Sequence, residues 1–222
     1  MVAITSSRIR ALIVAEGIAL LVLAAAAGYY WHRMSRADDL TVFAEAPTFT
    51  LTDQLERPVS SDDFQGKVVV ANFIYTSCTD ICPLLSLRMQ QLQERLRSEG
   101  LLGSRVQLLS FTVDPARDTP AVLRDYGASH QADPDAWRFL TGPPEQVVPL
   151  IVDGFRLGVQ ALPPQQSSDD PHEAGDGHDH SYDVMHSGRF VLIDRQRQIR
   201  AYYDGSTLDL DQVVRDLRQL LV

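Results

Sequence analysis

The sequence has few cysteines and no excess of basic charge. Its 222 residues include only two cysteines, too few for a small domain held together by disulfide bonds. With 20 basic and 29 acidic residues the net charge is −9, which argues against a nucleic acid partner because phosphate binding needs a basic face. Hydrophobic residues make up 45% and charged residues 22%, which excludes global disorder. The length predicts one ordinary domain with some additional sequence, or at most two small domains.

The N-terminal segment is long and apolar enough to span a membrane. Residues 11–31 carry a single charge, Glu16, and a helix of that length would reach about 31 Å, close to the hydrocarbon thickness of about 30 Å. We therefore predict a cytoplasmic tail over residues 1–10, a transmembrane anchor over 11–31 and a polar linker over 32–46. A cleaved signal peptide is the alternative, because Ala24–Ala27 supplies the small residues of a cleavage site. Either segment would deliver the rest of the chain to the far side of the membrane.

The remaining residues, 47–222, alternate between strand and helix patterns. The predicted strands are Thr48–Leu51 as an edge strand, Val68–Tyr75, Val106–Val113, Trp137–Leu140, and a hairpin of Arg189–Asp194 and Gln198–Tyr203. The predicted helices are one with the apolar stripe Leu85, Met89, Leu92 and Leu96, one capped by Asp118, Pro144–Phe155, and Leu208–Leu221. This order predicts an α/β sandwich with a central mixed β-sheet flanked by helices.

Both cysteines lie between a predicted buried strand and a predicted helix. Cys78 and Cys82 are separated by three residues, and Pro83 follows the second. Because proline is favoured in the first turn of a helix, Cys82 is predicted at the helix entrance and Cys78 in the preceding turn. The helix dipole is expected to lower a thiol pKa there. Two such sulfurs suit Cu(I), zinc or an iron–sulfur cluster, or they can form a disulfide. Asp114, at the next strand end, is a candidate for tuning their basicity.

A third ligand would distinguish metal binding from thiol chemistry. His186 comes just before the predicted strand Arg189–Asp194, which we expect beside the cysteine strand. A histidine there would complete a set of two thiolates and one imidazole, which suits Cu(I) or a zinc site with an open position. From the pattern alone, an ordinary surface position for His186 is equally consistent. His32 and His130 are predicted to be surface residues.

Three motifs, in the same order along the chain, resemble those of the Sco/SenC family. They are Phe73-Ile74-Tyr75-Thr76-x-Cys78-x3-Cys82-Pro83, Phe111-Thr112-Val113-Asp114-Pro115-x-Arg117-Asp118-Thr119-Pro120 and Tyr182-x3-His186-Ser187. The resemblance covers residues 45–222 and the membrane anchor. It implies a thioredoxin-like fold and a single-pass inner-membrane protein with its domain on the periplasmic side. It also implies that Cys78, Cys82 and His186 bind copper.

The resemblance further implies a role in the assembly of cytochrome c oxidase. The expected function is delivery of copper to the binuclear copper centre, or its maturation, with Cu(I) as the bound ion and Cu(II) left open. The expected partners are the copper-bearing subunit of the oxidase, a periplasmic copper chaperone or thiol reductant, and the membrane. The alternative is a thiol–disulfide oxidoreductase that reduces the acceptor's cysteines, with Cys78 and Cys82 as its catalytic redox pair.

Two features depart from the common family pattern. Met185 stands where many members carry Asp, and its thioether is either a weak fourth copper ligand or a packing group. The loop Ser167–Asp183 contains His172, His178 and His180 among acidic residues. It is either a solvated loop or an accessory site that captures copper and passes it to the cysteines.

Overall fold

The structure, a computed structural model, covers the predicted α/β region but little of the predicted anchor. It describes residues 40–157, 160–161, 184–185 and 188–221, and positions 17, 19, 20, 22, 23 and 25. Contacts divide the chain into two units, Met1–Leu40 and Thr41–Val222. Among the described residues, no helix has the length and apolar character needed to cross a membrane. Most of the anchor predicted over residues 11–31 lies outside them, so the anchor stays a prediction.

Strands and helices alternate through the second unit. The strands are β1 (Ala44–Glu45), β2 (Thr50–Asp53), β3 (Pro58–Ser60), β4 (Val68–Ile74), β5 (Val106–Thr112), β6 (Trp137–Thr141), β7 (Gln160–Ala161), β8 (Val184–Met185), β9 (Arg189–Ile193) and β10 (Gln198–Asp204). The helices are α1 (Cys82–Ser98), α2 (Pro120–Ser129), α3 (Pro144–Pro149) and α4 (Leu210–Leu220). A 3₁₀ turn covers Ser61–Phe64, and a π-helical turn, Leu150–Gly154, continues α3.

One mixed sheet organises the domain, with its strands in the order β1-β10-β9-β4-β5-β6-β2-β3. Strands β4, β5 and β6 are parallel, and the other neighbours are antiparallel. Every residue of β4 and β5 is buried, which explains their continuous runs of β-branched and aromatic side chains. Parallel neighbours need crossover connections, and α1 and α2 supply them. The predicted mixed α/β architecture is confirmed.

Aromatic and aliphatic side chains pack tightly around β4 and β5. The Phe73 and Phe111 rings stack with their centroids 5.6 Å apart, and the Phe155 ring meets Phe73 edge-on at 5.1 Å. The predicted stripe of α1 is fully buried and consists of Leu85, Met89, Leu92 and Leu96. Burial of each such side chain contributes about 1.5–3 kcal/mol, so α1 is held firmly and its first turn has a fixed position over the sheet.

Two predicted elements are wrong in detail. Strand β2 is not an edge strand, because it lies between β6 and β3. Strand β3 takes the edge instead, and it begins at Pro58, which has no N–H to offer a further strand. The helix predicted over Pro144–Phe155 changes its hydrogen bonding after Pro149 and continues as the π-helical turn. Pro149 cannot donate the backbone hydrogen bond that a regular α-helix would require of it.

Gly205, directly after β10, marks a close approach between the sheet and helix α1. Its N–H donates to the carbonyl oxygen of Gly188 at 2.8 Å. A Cβ atom at position 205 would overlap the Leu85 side chain and lie 2.6 Å from the same carbonyl oxygen. Gly188 has φ +55, and a Cβ atom there would lie 3.1 Å from Cδ1 of Ile81. These contacts hold the start of β9 against the start of α1.

The variant Gly205→Ala should lower the free energy of unfolding by about 1–3 kcal/mol, because the added methyl group overpacks this junction. Urea denaturation followed by circular dichroism measures the change. Thr207→Ala alters an exposed side chain in the same segment and should change the value by no more than about 0.5 kcal/mol. Equal stability of the Gly205→Ala variant and the unmodified protein would contradict the close approach.

Candidate metal centre

The turn that carries both cysteines leaves the carboxyl end of β4 and enters helix α1. The Cys78 N–H donates to the carbonyl oxygen of Tyr75 at 3.3 Å, which tightens the chain just after the strand. Cys82 is the first residue of α1, and its N–H donates to Sγ of Cys78 at 3.4 Å. Pro83 follows in the first turn, where no intrahelical partner is available for an N–H. The predicted positions of both cysteines are confirmed.

Both cysteines are reduced thiols with little contact with solvent. Cys78 is 7% exposed and Cys82 is 0% exposed. Burial raises the pKa of the Cys82 thiol, and the hydrogen bond with Cys78 raises it further. The prediction of a lowered thiol pKa at the helix entrance is therefore wrong for Cys82. Desolvation outweighs the helix dipole, whose effect is about 0.3–1 kcal/mol at exposed positions.

A buried carboxylate lies beside the cysteine turn. Asp118 is 1% exposed, and it accepts hydrogen bonds from the Thr76 N–H at 3.2 Å and from the Thr76 hydroxyl at 2.5 Å. The hydroxyl of Thr112 donates to Oδ2 of Asp118, the same oxygen that accepts the Thr76 N–H at 3.2 Å. Burial raises the pKa of Asp118, and these donors partly offset the rise. The predicted capping role of Asp118 is wrong, since Thr119 caps α2 by accepting the Val122 N–H at 3.4 Å.

Asp114 is also buried, but other partners hold it. Its carboxylate accepts a hydrogen bond from Arg117 at 3.4 Å, and its N–H donates to the Thr112 hydroxyl at 3.0 Å. Its carbonyl oxygen accepts the Asp118 N–H at 2.9 Å. The hydrogen bonds from a carboxylate to the start of the cysteine turn are made by Asp118, for which the local sequence pattern predicts a capping role. A tuning role for Asp114 stays a prediction.

A hydroxyl pair lies one helical turn below Cys82. Ser86 shares a hydrogen bond of 2.8 Å with the Tyr126 hydroxyl, which links α1 to α2. Burial raises the pKa of Tyr126 to about 12, and the charges of the two cysteines add to the rise. His130 packs its ring 4.7 Å from that of Tyr126 and is half-buried, which lowers its pKa. The prediction of a surface position for His130 therefore holds only in part.

The predicted third ligand, His186, lies outside the described residues, as do His32, His172, His178 and His180. Strand β9 is the neighbour of β4, as predicted, and Phe190 pairs with Asn72. Among the described residues, no three metal-binding side chains form a cluster. The structure brings Cys78 and Cys82 together. Their turn follows the carboxyl end of β4, and β9 begins beside that same end.

Solved structures of Sco proteins share this architecture. ScoI from Bradyrhizobium japonicum, solved with copper bound, has a TM-score of 0.63 and 25% identity, covering 80% of this chain and 100% of that chain. BsSco, a member of the Sco family of cytochrome c oxidase assembly proteins in which a disulfide switch was identified, has a TM-score of 0.63 and 26% identity, covering 82% and 96%. The domain is therefore thioredoxin-like.

Sequence relationships agree with the structural ones. The SCO1 protein homolog of Bacillus subtilis is 28% identical over 176 residues, which cover 78% of this chain and 81% of that protein. The SCO1/SenC family model matches residues 38–222. The chain belongs to the SCO1/SenC family.

In the reduced, metal-free protein, the Cys82 thiol should react with iodoacetamide at pH 8 about tenfold or more slowly than in the urea-unfolded chain. Its burial raises the pKa, so little thiolate is present at that pH. Mass spectrometry of the peptide that contains Cys82, after timed alkylation, measures the rate. Equal rates in the folded and unfolded protein would show that Cys82 is neither buried nor shifted in pKa.

Proposed function

We propose that this protein binds Cu(I) through Cys78, Cys82 and His186 and delivers it during the assembly of cytochrome c oxidase. The observation that carries the proposal is the pair of reduced thiols at the entrance to α1, with the Cys82 N–H directed at the Cys78 sulfur. Soft thiolates prefer Cu(I) over hard cations. Copper bound in the structure of the Bradyrhizobium japonicum relative supports copper as the cargo here.

The contact between Gly188 and α1 supports His186 as the third ligand. Gly188 is buried against Ile81, which directly precedes Cys82. His186 comes two residues before Gly188 in the sequence, and two residues of chain span at most about 7 Å. The proposal therefore assigns the third ligand position to His186. A soft set of two sulfurs and one nitrogen satisfies Cu(I), which accepts three ligands.

The shape of the turn supports transfer of copper rather than permanent storage. Ser77 and Thr79, which flank Cys78, are exposed, whereas the cysteines themselves are buried. An acceptor protein can approach the turn at Ser77 and Thr79 and replace the copper ligands one at a time. Each thiol must release its proton when copper binds, and the raised pKa of Cys82 makes protons strong competitors of the metal.

We propose further that residues 11–31 anchor the protein in the inner membrane and that the thioredoxin-like domain, residues 47–222, lies on the periplasmic side. A disulfide between Cys78 and Cys82 would prevent copper binding, so the protein needs a thiol reductant in that compartment. The acceptor in this proposal is the copper-bearing subunit of the oxidase.

Thiol–disulfide exchange is the second candidate function. The backbone N–H of Cys82 lies within hydrogen-bonding distance of the Cys78 sulfur. A disulfide switch was identified in the relative BsSco. In this function Cys78 and Cys82 reduce the acceptor's cysteines before copper arrives. The variant Cys82→Ser would then trap a mixed disulfide with an acceptor peptide, and His186→Ala would leave the exchange rate unchanged because thiol exchange needs no third ligand.

Replacing Cys78, Cys82 or His186 by Ala should each abolish tight Cu(I) binding, because each variant removes one of the three proposed ligands. Competition with a chromophoric Cu(I) chelator under reducing conditions measures the affinity. The half-buried His130 supplies the matched control, and His130→Ala should retain the affinity of the unmodified protein. Tight binding by the His186→Ala variant would contradict the three-ligand site and favour thiol exchange.

A further inference from the structure

We propose that Asp118 is a positioning residue that holds the two cysteines in the arrangement that binds copper. The inference rests on the proposed function, because it concerns the same pair of thiols. Asp118 reaches the cysteines through Thr76 and does not itself bind the metal in this proposal.

The first step is the link that Asp118 makes between two strands. Thr112 is the last residue of β5, and Thr76 lies just beyond the end of β4. Both hydroxyls donate to the Asp118 carboxylate, and so does the Thr76 N–H. The carboxylate therefore links the segment that follows β4 to the neighbouring strand β5. The link lies at the carboxyl ends of these two strands, where the cysteine turn begins.

The second step runs from Thr76 to the sulfurs. Thr76 precedes Cys78 by two residues, and the Cys82 N–H fixes the position of the Cys78 sulfur from the other side. The turn is thus held at its start by Asp118 and at its end by α1. Loss of the carboxylate would leave the helix contact in place but free the start of the turn, so the two sulfurs would converge on one ion less often.

The third step concerns why a charged carboxylate, rather than a neutral amide, stands at this buried position. The partners of Asp118 in the described part of the chain are neutral hydroxyl and amide donors, whereas the neighbouring Asp114 has Arg117. Burial of a carboxylate without a cationic partner is costly. A carboxylate can nevertheless accept all three of these hydrogen bonds together, which the single oxygen of an amide cannot do as well.

The decisive variant is Asp118→Asn, which keeps the shape of the side chain and loses part of its accepting capacity. We expect Cu(I) affinity about 10-fold lower, as for other residues that orient metal ligands. In the metal-free protein, amide hydrogen exchange of the peptide spanning residues 76–82 should become faster. The ultraviolet Cu(I)–thiolate absorption band should shift, because the sulfurs are held differently.

A matched control separates this effect from a general loss of stability. Asp194 is a second buried carboxylate, 5% exposed, at the other end of β9, where it accepts the N–H groups of Gln196 and Gln198. Asp194→Asn should lower stability without changing Cu(I) affinity, the absorption band or exchange in the peptide 76–82. Equal effects of Asp118→Asn and Asp194→Asn on all three would overturn the proposal.

Two further variants keep the inference testable if Asp118→Asn does not fold. Thr76→Val and Thr112→Val each remove one hydroxyl donor and should each weaken Cu(I) binding in the same direction. In a foldable Asp118→Asn background, Thr76→Val should add less than it does alone, because both act on one contact. Additive effects would contradict a route through Thr76.

The outcomes for Asp118 and for copper can be told apart. If the unmodified protein fails to bind Cu(I), the proposed function is wrong, and hydrogen exchange in the metal-free protein still tests the positioning role. If the unmodified protein binds Cu(I) and the Asp118→Asn variant matches it in affinity and in exchange, only the role of Asp118 is wrong.

Discussion

The parallel pairing of β4 with β5 along their full length is the constraint on which the site depends. In this register Ile74 lies opposite Thr112. The cysteine turn and the segment that carries Asp118 therefore both begin at the carboxyl ends of these strands, at the same end of the sheet. Strand β9 runs antiparallel to β4 and starts at that end of the sheet, next to Gly188. Backbone pairing alone therefore brings together the cysteine turn, the segment with Asp118 and the start of β9, which are distant in sequence.

Burial gives the thiol pair its chemical character. A cysteine at an exposed helix start would be a reactive thiolate, whereas the desolvated Cys82 favours the neutral thiol until a cation compensates the charge. A soft metal cation bound by the sulfurs would supply that compensating charge. The glycine contacts at positions 188 and 205 keep the sheet close enough to α1 to maintain this burial. Packing, rather than the helix dipole, sets the reactivity of the site.

Much of the central sheet and α1 could be predicted from local patterns. Continuous apolar runs identified β4 and β5 to within one residue, and the four-residue stripe identified α1. Strands of two residues such as β1 carry no pattern to detect. The inner position of β2 depends on pairing with β6 across the chain, and the contact between Asp118 and Thr76 spans 42 residues of sequence. Local sequence patterns carry no information on contacts between residues so far apart in the chain. The raised pKa of the Cys82 thiol depends on tertiary packing, which these patterns do not describe either.

In the proposed metal centre, one copper ion is bound by two sulfurs and an imidazole drawn from separate parts of the chain. X-ray absorption spectroscopy of the reduced, full-length protein loaded with one equivalent of Cu(I) tests this ligand set most directly. We expect a coordination shell of two sulfur atoms and one nitrogen atom. A shell of nitrogen and oxygen atoms without sulfur, or one of sulfur atoms alone, would contradict it.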